Sequence, residues 1–187
     1  MSVPYWVYRI RNFLVFPPLL FAFVYQVYEV EAEEIIWPLG VSVVVLGIAL
    51  RIWAQQHVRH RLIGHKQLTT TGPYEFVRNP LYIGNTILCI GGVIASELLW
   101  LIPITFLWCL GVYSIVIRYE EEHLLKKYGD AYRRYLSEVP RWFPKISSVR
   151  NRPKGWVNRY LYRIVLAELS SGLLMLSPYM LKEILYG

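Results

Sequence analysis

Apolar residues fall in long runs along this chain instead of alternating with polar ones, and four of the runs are long enough, or nearly so, to cross a membrane. The first runs from Phe13 to Tyr28. It is short for a hydrocarbon layer about 30 Å thick and draws on flanking residues such as Ile10; its Pro17-Pro18 pair predicts a kink. The second covers Ile35 to Trp53, the third Leu81 to Ala95 and the fourth Leu98 to Ile117. Only Ser96-Glu97 separates the last two, which predicts a tight antiparallel hairpin. The fourth run continues as a helix to Tyr128, where Lys126-Lys127 fill the last turn and Gly129 supplies a stop. Asp130 then caps a short helix, "AYRRYLSEV", closed by Pro140. Residues 160–185 read as a fifth span broken near Pro178, or as a helix lying in the interface.

The connectors alternate in charge. Arg9 and Arg11 precede the first run, whereas Glu29, Glu31, Glu33 and Glu34 follow it. Residues 51–80 hold Arg51, Arg59, Arg61, Lys66 and Arg78 against the single acid Glu75. The third-to-fourth turn has only Glu97, and residues 118–159 hold eleven Lys/Arg against five acids. Basic segments stay on the cytoplasmic side, so the N-terminus and both basic segments are expected there. Within 187 residues this gives one domain: an all-α, polytopic membrane protein of four to five transmembrane helices.

Composition sharpens the picture only slightly. Charged residues are 18% of the chain against about 25% in a soluble domain. The net charge of +7 lies in connectors, where topology accounts for it without nucleic acid. Cys89 and Cys109 lie inside apolar runs with no metal-ligand or redox spacing, so they read as small buried hydrophobes and no metal is expected. The first apolar run has no small-residue cleavage site after it and reads as a retained anchor.

The connector "TTTGPYEFVRNPLYIG", residues 69–84, concentrates chemistry. Pro80 suits the first position of a helix and Asn79 its N-cap, so the third span is expected to open there. A helix start offers free N–H groups and a partial positive charge, and Arg78 adds a planar fork suited to carboxylate or phosphate. Gly72 permits close backbone approach, Gly84 leaves room for a flat group, and Tyr74 and Tyr82 add ring faces with hydroxyl tips. The competing reading is a snorkelling Arg, an aromatic belt and ordinary turn glycines.

A second cluster, "IRYEEEHLLKKYGDAY", places Glu120, Glu121 and Glu122 where the fourth span leaves the membrane. Arg118 shares a face with Glu122 four residues on and lies three from Glu121. At roughly 100° per residue the three acids fan over about 200°, too wide for one ladder, so at least one turns to another partner. The hairpin brings this cluster and the anion-friendly connector to one membrane face. Together they suit a ligand with a carboxylate at one end and ribose hydroxyls and an ammonium elsewhere.

These two segments resemble the isoprenylcysteine carboxyl methyltransferase family, in the broad sense that includes phospholipid N-methyltransferases. "TTGPYEFVRNPLYIG" is similar to its first signature and "YEEEHLLKKYGDAYRRYLSEVPRWFP" to its second; together they cover about residues 65–144, leaving 145–187 as a basic tail plus a fifth membrane or interfacial helix. The resemblance implies an S-adenosylmethionine-dependent membrane enzyme, with a cytoplasm-facing cofactor pocket and a lipidic or hydrophobic acceptor entering from the bilayer. It implies cofactor binding by His65, Gly72, Tyr74, Arg78, Asn79, Pro80, Tyr82, Gly84 and Glu121, and catalytic roles for Arg118 and Glu122, with Tyr132 and Arg141 as weaker carry-overs. The family often has His where Asn79 stands, and His65 lies about one residue further from Gly72 than its pattern.

Methyl transfer from a sulfonium asks for alignment and exclusion of water. A carboxylate or thiolate acceptor arrives ready to attack, with Arg118 orienting it and Glu122 fixing Arg118. An amine must first lose a proton, which favours a Glu base and makes phospholipid N-methylation the alternative. Two other classes compete: a nicotinamide-dependent enzyme like the sterol reductases, and a non-enzymatic adaptor whose basic tail meets anionic lipid. Arg118→Ala is expected to lose turnover while keeping its affinity for the cofactor product in calorimetry. An equal loss of binding would move Arg118 into the cofactor set.

Overall fold

The computed structural model describes residues 5–11, 13–25, 33–64, 68–145 and 161–186. Among these there is no strand. Eight helices follow in order: α1 (Tyr5–Arg9), α2 (Pro17–Val24), α3 (Glu33–Gly64), α4 (Pro73–Phe76), α5 (Pro80–Ala95), α6 (Leu101–Tyr128), α7 (Asp130–Glu138) and α8 (Leu161–Tyr186). Two helices among the described residues are long and apolar enough to cross a membrane, Glu34–Val58 within α3 and Leu101–Tyr128.

The frame is an antiparallel α3–α5 pair in near backbone contact, and glycines make that approach possible. A side-chain carbon on Gly40 would stand 2.6 Å from the Ala95 nitrogen, and one on Gly91 2.8 Å from the Val44 nitrogen. Further along, Gly47 sits against Leu88 and the Gly84 carbonyl. Small residues at such crossings let dispersion contacts form between backbones, the main attraction available to helices surrounded by lipid. The predicted α5–α6 hairpin is present. Its inner face buries Tyr82, Cys89 and Val93 against Cys109, Tyr113, Val116 and Ile117. Glu97, in the turn, has a φ of 65°, a conformation usually left to glycine.

The C-terminal helix α8 closes the other side of the α3–α5 pair. It turns inward Ile164, Glu168, Gly172 and Leu176, spaced by four. Outward it shows Leu166, Leu169, Leu173 and Leu174, and α3 and α6 show Leu39, Val45, Leu46, Ile104, Leu107 and Ile115 in the same way. A monomer in water rarely exposes so much contiguous apolar surface, and a hydrocarbon surround accommodates it.

Two local expectations change. Pro17 and Pro18 open α2 instead of kinking a longer helix, because a helix start has no use for the N–H that proline lacks. The first apolar run is therefore an eight-residue helix up to Val24, and 26–28 lie outside the described residues. The predicted break near Pro178 is absent; α8 is one helix from Leu161 to Tyr186. α5 opens at Pro80 and α6 ends at Tyr128 before Gly129, as the sequence indicates.

The packing generates a contrast. Gly40→Val is expected to lower the unfolding temperature in detergent, on the scale of overpacking at about 1–3 kcal/mol. Gly111→Ala is expected to hold or raise it, since nothing lies within 4 Å of a side-chain carbon there and alanine favours helix by about 1 kcal/mol.

Candidate functional site

At one end of the hairpin, the segment of chain entering α5 is stitched to the end of α7 and the segment that follows it. The Arg78 N–H donates to the Pro140 carbonyl at 3.0 Å, and the Lys145 N–H to the Phe76 carbonyl at 3.0 Å. The Tyr135 hydroxyl donates to the Tyr74 carbonyl at 2.9 Å.

Arg78 is the centre of this seam. Its Nε donates to the Val139 carbonyl at 2.6 Å, Nη2 to the Leu136 carbonyl at 2.8 Å, and Nη1 to Glu121 Oε1 at 2.9 Å. Arg141 reaches the same carboxylate, through Nε to Oε1 at 3.2 Å and through Nη2 to Oε2. The side chains of Arg78 and Glu121 keep only 17% and 14% of their exposure, whereas Arg141 keeps 32%. Arg78 thus spends its fork on the protein itself, and the partly open guanidinium is that of Arg141.

The next acid faces elsewhere. Glu120 accepts from the Tyr82 hydroxyl at 2.7 Å, and Tyr8 and Arg11 stand beside the same carboxylate. Tyr82 in turn stacks on Tyr113 with ring centroids 4.6 Å apart. Tyr8 lies against Tyr119, and the Arg11 guanidinium covers the Tyr8 ring at 4.1 Å. Helix α1 therefore covers Glu120 from the N-terminal side. Glu122 and Arg118 are both exposed, and no ion pair joins them among the described residues.

Each residue of the first segment has a definite place. Asn79 occupies the N-cap position of α5 without making a side-chain cap; its Nδ2 is buried and has no hydrogen-bond partner among the described residues. Pro80 is the buried first residue of α5. Gly72 has φ 67° and ψ −134°, and a side-chain carbon there would overlap the His57 ring. Its conformation and its close approach both demand glycine, and the surface approached is His57. The room beside Gly84 is filled by the Arg51 side chain and the Gly47 carbonyl. His65 lies outside the described residues.

Burial dominates the ionisation of the connector side chains. It pushes the Tyr74 phenol well up, with the Glu120 charge adding to the effect. Tyr132 and Tyr135 are raised well up by burial in the same way. These phenols stay neutral and able to donate at any physiological pH. Glu75 is raised by burial, against the opposing pull of His57 and a Gly72 backbone bond.

Sequence reasoning placed Arg51 among connector charges. In the structure it sits within α3 and pairs with Glu168 of α8 at 2.6 Å. The available signal was an Arg and a Glu each flanked by apolar residues within a helix, where charges are costly and therefore paired.

The phospholipid methyltransferase family model matches residues 36–131. A nickel-cobalt-cadmium resistance protein of Alcaligenes xylosoxydans is 33% identical over 113 residues, covering 60% of this chain and 50% of that protein. A cobalt-zinc-cadmium resistance protein of Cupriavidus metallidurans is 30% identical over 112 residues, with 60% and 49% covered. A protein-S-isoprenylcysteine O-methyltransferase of Schizosaccharomyces pombe is 30% identical over 151 residues, with 74% and 58% covered. The chain spans about half the length of the two metal-resistance relatives. No solved structure matches it.

Gly72→Ala is expected to destabilise the connector by about 2 kcal/mol or more through strain at a glycine-only conformation and the clash with His57. Adding His57→Ala should recover the clash but not the strain. A double-mutant cycle on thermal unfolding separates the two contributions.

Proposed function

We propose that this chain, which belongs to the phospholipid methyltransferase family, is an integral membrane methyltransferase that uses S-adenosylmethionine and methylates a lipidic or hydrophobic acceptor at a carboxylate or thiol. The observation that carries this reading is the Arg78–Glu121 pair at 2.9 Å, which joins segments 43 residues apart in sequence into one polar end of an apolar hairpin.

The residues present fit such a cofactor. The Asn79 amide, a buried donor without a partner among the described residues at the start of α5, suits a carboxylate, as does the helix terminus behind it. Arg141 adds a partly open guanidinium. Glu120 has oxygen capacity beyond its bond from Tyr82 and suits an ammonium or ribose hydroxyls. When bound, S-adenosylmethionine supplies an electrophilic methyl group on a sulfonium. The chain holds the reacting groups in line and keeps water out, with the Tyr82–Tyr113 stack forming an apolar wall. Arg118, exposed where α6 leaves its apolar section, orients an anionic acceptor arriving from the bilayer, and Glu122 lies one turn further along. The basic connectors support a cytoplasmic N-terminus and site in a chain with four to five crossings. The single domain 1–187 includes α8.

The test is incubation of the protein in lipid nanodiscs with tritiated S-adenosylmethionine and total membrane lipid. Label released as methanol by mild alkali is expected for a methyl ester, and a stable thioether for a thiol acceptor. An alkali-stable label on an amine headgroup would instead establish phospholipid N-methylation. Absence of both binding and label would remove the enzyme assignment. Glu120→Gln is expected to reduce labelling by roughly 100-fold or more, the scale on which misplaced reacting groups lose rate.

A further inference from the structure

Helix α8 lies beyond residues 36–131, yet it sends one acid into the centre of the helix frame. Glu168 is 3% exposed and grips Arg51 of α3 with both oxygens: Nε to Oε2 at 2.6 Å and Nη2 to Oε1 at 2.9 Å. The Gln55 amide donates to Oε1 as well. Arg51 Nη1 continues the chain by donating to Asn85 Oδ1, in the second turn of α5. Asn85 lies beside the buried Tyr113 hydroxyl, which has no well-formed hydrogen bond among the described residues. Tyr113 stacks on Tyr82, and Tyr82 holds Glu120.

A charged pair among apolar helices is an expensive way to join them, because apolar residues of the same volume would pack at lower cost. Docking α8 alone would not require it. Arg51 also does something an apolar residue cannot. Its stem fills the space beside Gly84 and its head fixes Asn85, so it sets the position of the opening turns of α5 against α3.

We propose that Arg51 is a positioning residue of the methyl-transfer site, acting through Asn85 on α5, with Glu168 of the C-terminal helix as its counter-charge. This rests on the methyltransferase reading given above. The contacts run from α8 through α3 to Asn85 of α5 by hydrogen bonds, and from there by packing on Tyr113 and its stack on Tyr82 to Glu120, so α8 belongs to the working unit.

The experiment uses the full chain in nanodiscs. It measures S-adenosylhomocysteine affinity by calorimetry, tritium transfer from S-adenosylmethionine to total membrane lipid, and thermal unfolding. Arg51→Glu alone is expected to destabilise the protein, since it sets two acids together. Combined with Glu168→Arg, it restores an ion pair between α3 and α8 but leaves Asn85 without its donor on α3. The double variant is expected to regain stability while its affinity or turnover stays down roughly 10- to 100-fold, the cost of a small misplacement of reacting groups. Recovery of both would reduce the pair to a structural dock and overturn the proposal. Asn85→Leu keeps the Arg51–Glu168 pair and serves if the double variant does not fold. It should lose affinity or turnover with little change in unfolding temperature; wild-type values in both would also overturn the proposal. A wild-type protein that neither binds S-adenosylhomocysteine nor transfers label would sink the methyltransferase reading and this inference with it. Active wild type with unaffected variants would sink this inference alone.

Discussion

The polar end of this protein depends on one carboxylate shared by two guanidinium groups. Glu121 leaves α6 and receives Arg78 from before α5 and Arg141 from after α7. Arg78 also holds the carbonyls of Leu136 and Val139. Three stretches of chain with no regular structure in common thus share one branched contact. Only arginine can do this, since its five donors lie in one rigid plane whereas a lysine ammonium offers a point charge. The energetic return on stability is modest after desolvation, but the geometry is tightly specified. Removing Glu121 would leave both partly buried guanidinium groups without their carboxylate, so the clamp acts mainly to select one arrangement of the connectors over others.

That selection explains why three adjacent acids have three fates. Successive residues on a helix point about 100° apart. Glu121 faces the clamp, Glu120 faces Tyr82 and α1, and Glu122 faces outward. The fan was legible in the sequence, because it follows from helical geometry alone. Which acid would meet which partner was not, since that depends on the rotation of α6 against α5. The same limit covers Arg118 and Glu122. Spacing places them on one face, but a shared face at an exposed helix surface does not oblige long side chains to pair.

What could be read from the chain was where most helices start and stop, which local chemistry fixes. Pro80 opens α5, Lys126-Lys127 and Gly129 close α6, and a short connection makes a hairpin, though it runs over residues 96–100 where the sequence suggested only Ser96-Glu97. The convergence of the two segments followed from that hairpin. What could not be read was long-range complementarity. Gly84 looked like space for a ligand, and the space belongs to Arg51. Arg78 looked like a ligand's anchor, and its fork is occupied by Glu121 and two carbonyls. Pro17-Pro18 looked like a kink because the run around it was apolar on both sides; a helix that starts there satisfies the same composition.

Lipid surroundings give the remaining step. In water, burying apolar surface drives helices together, and a C-terminal helix can be held by its apolar face alone. Between helices already in hydrocarbon that drive is absent, and association rests on close packing and polar contacts. α8 uses both: Gly172 lets Ile48 approach, and four residues earlier Glu168 finds Arg51. The packing contact brings the helix close, and the ion pair fixes its rotation, because turning α8 would take the buried Glu168 away from Arg51. An element so fixed cannot slide or turn freely against α3 and α5. The helix that follows the signature segments in sequence is therefore locked in register with the turn of α5 that opens the polar end.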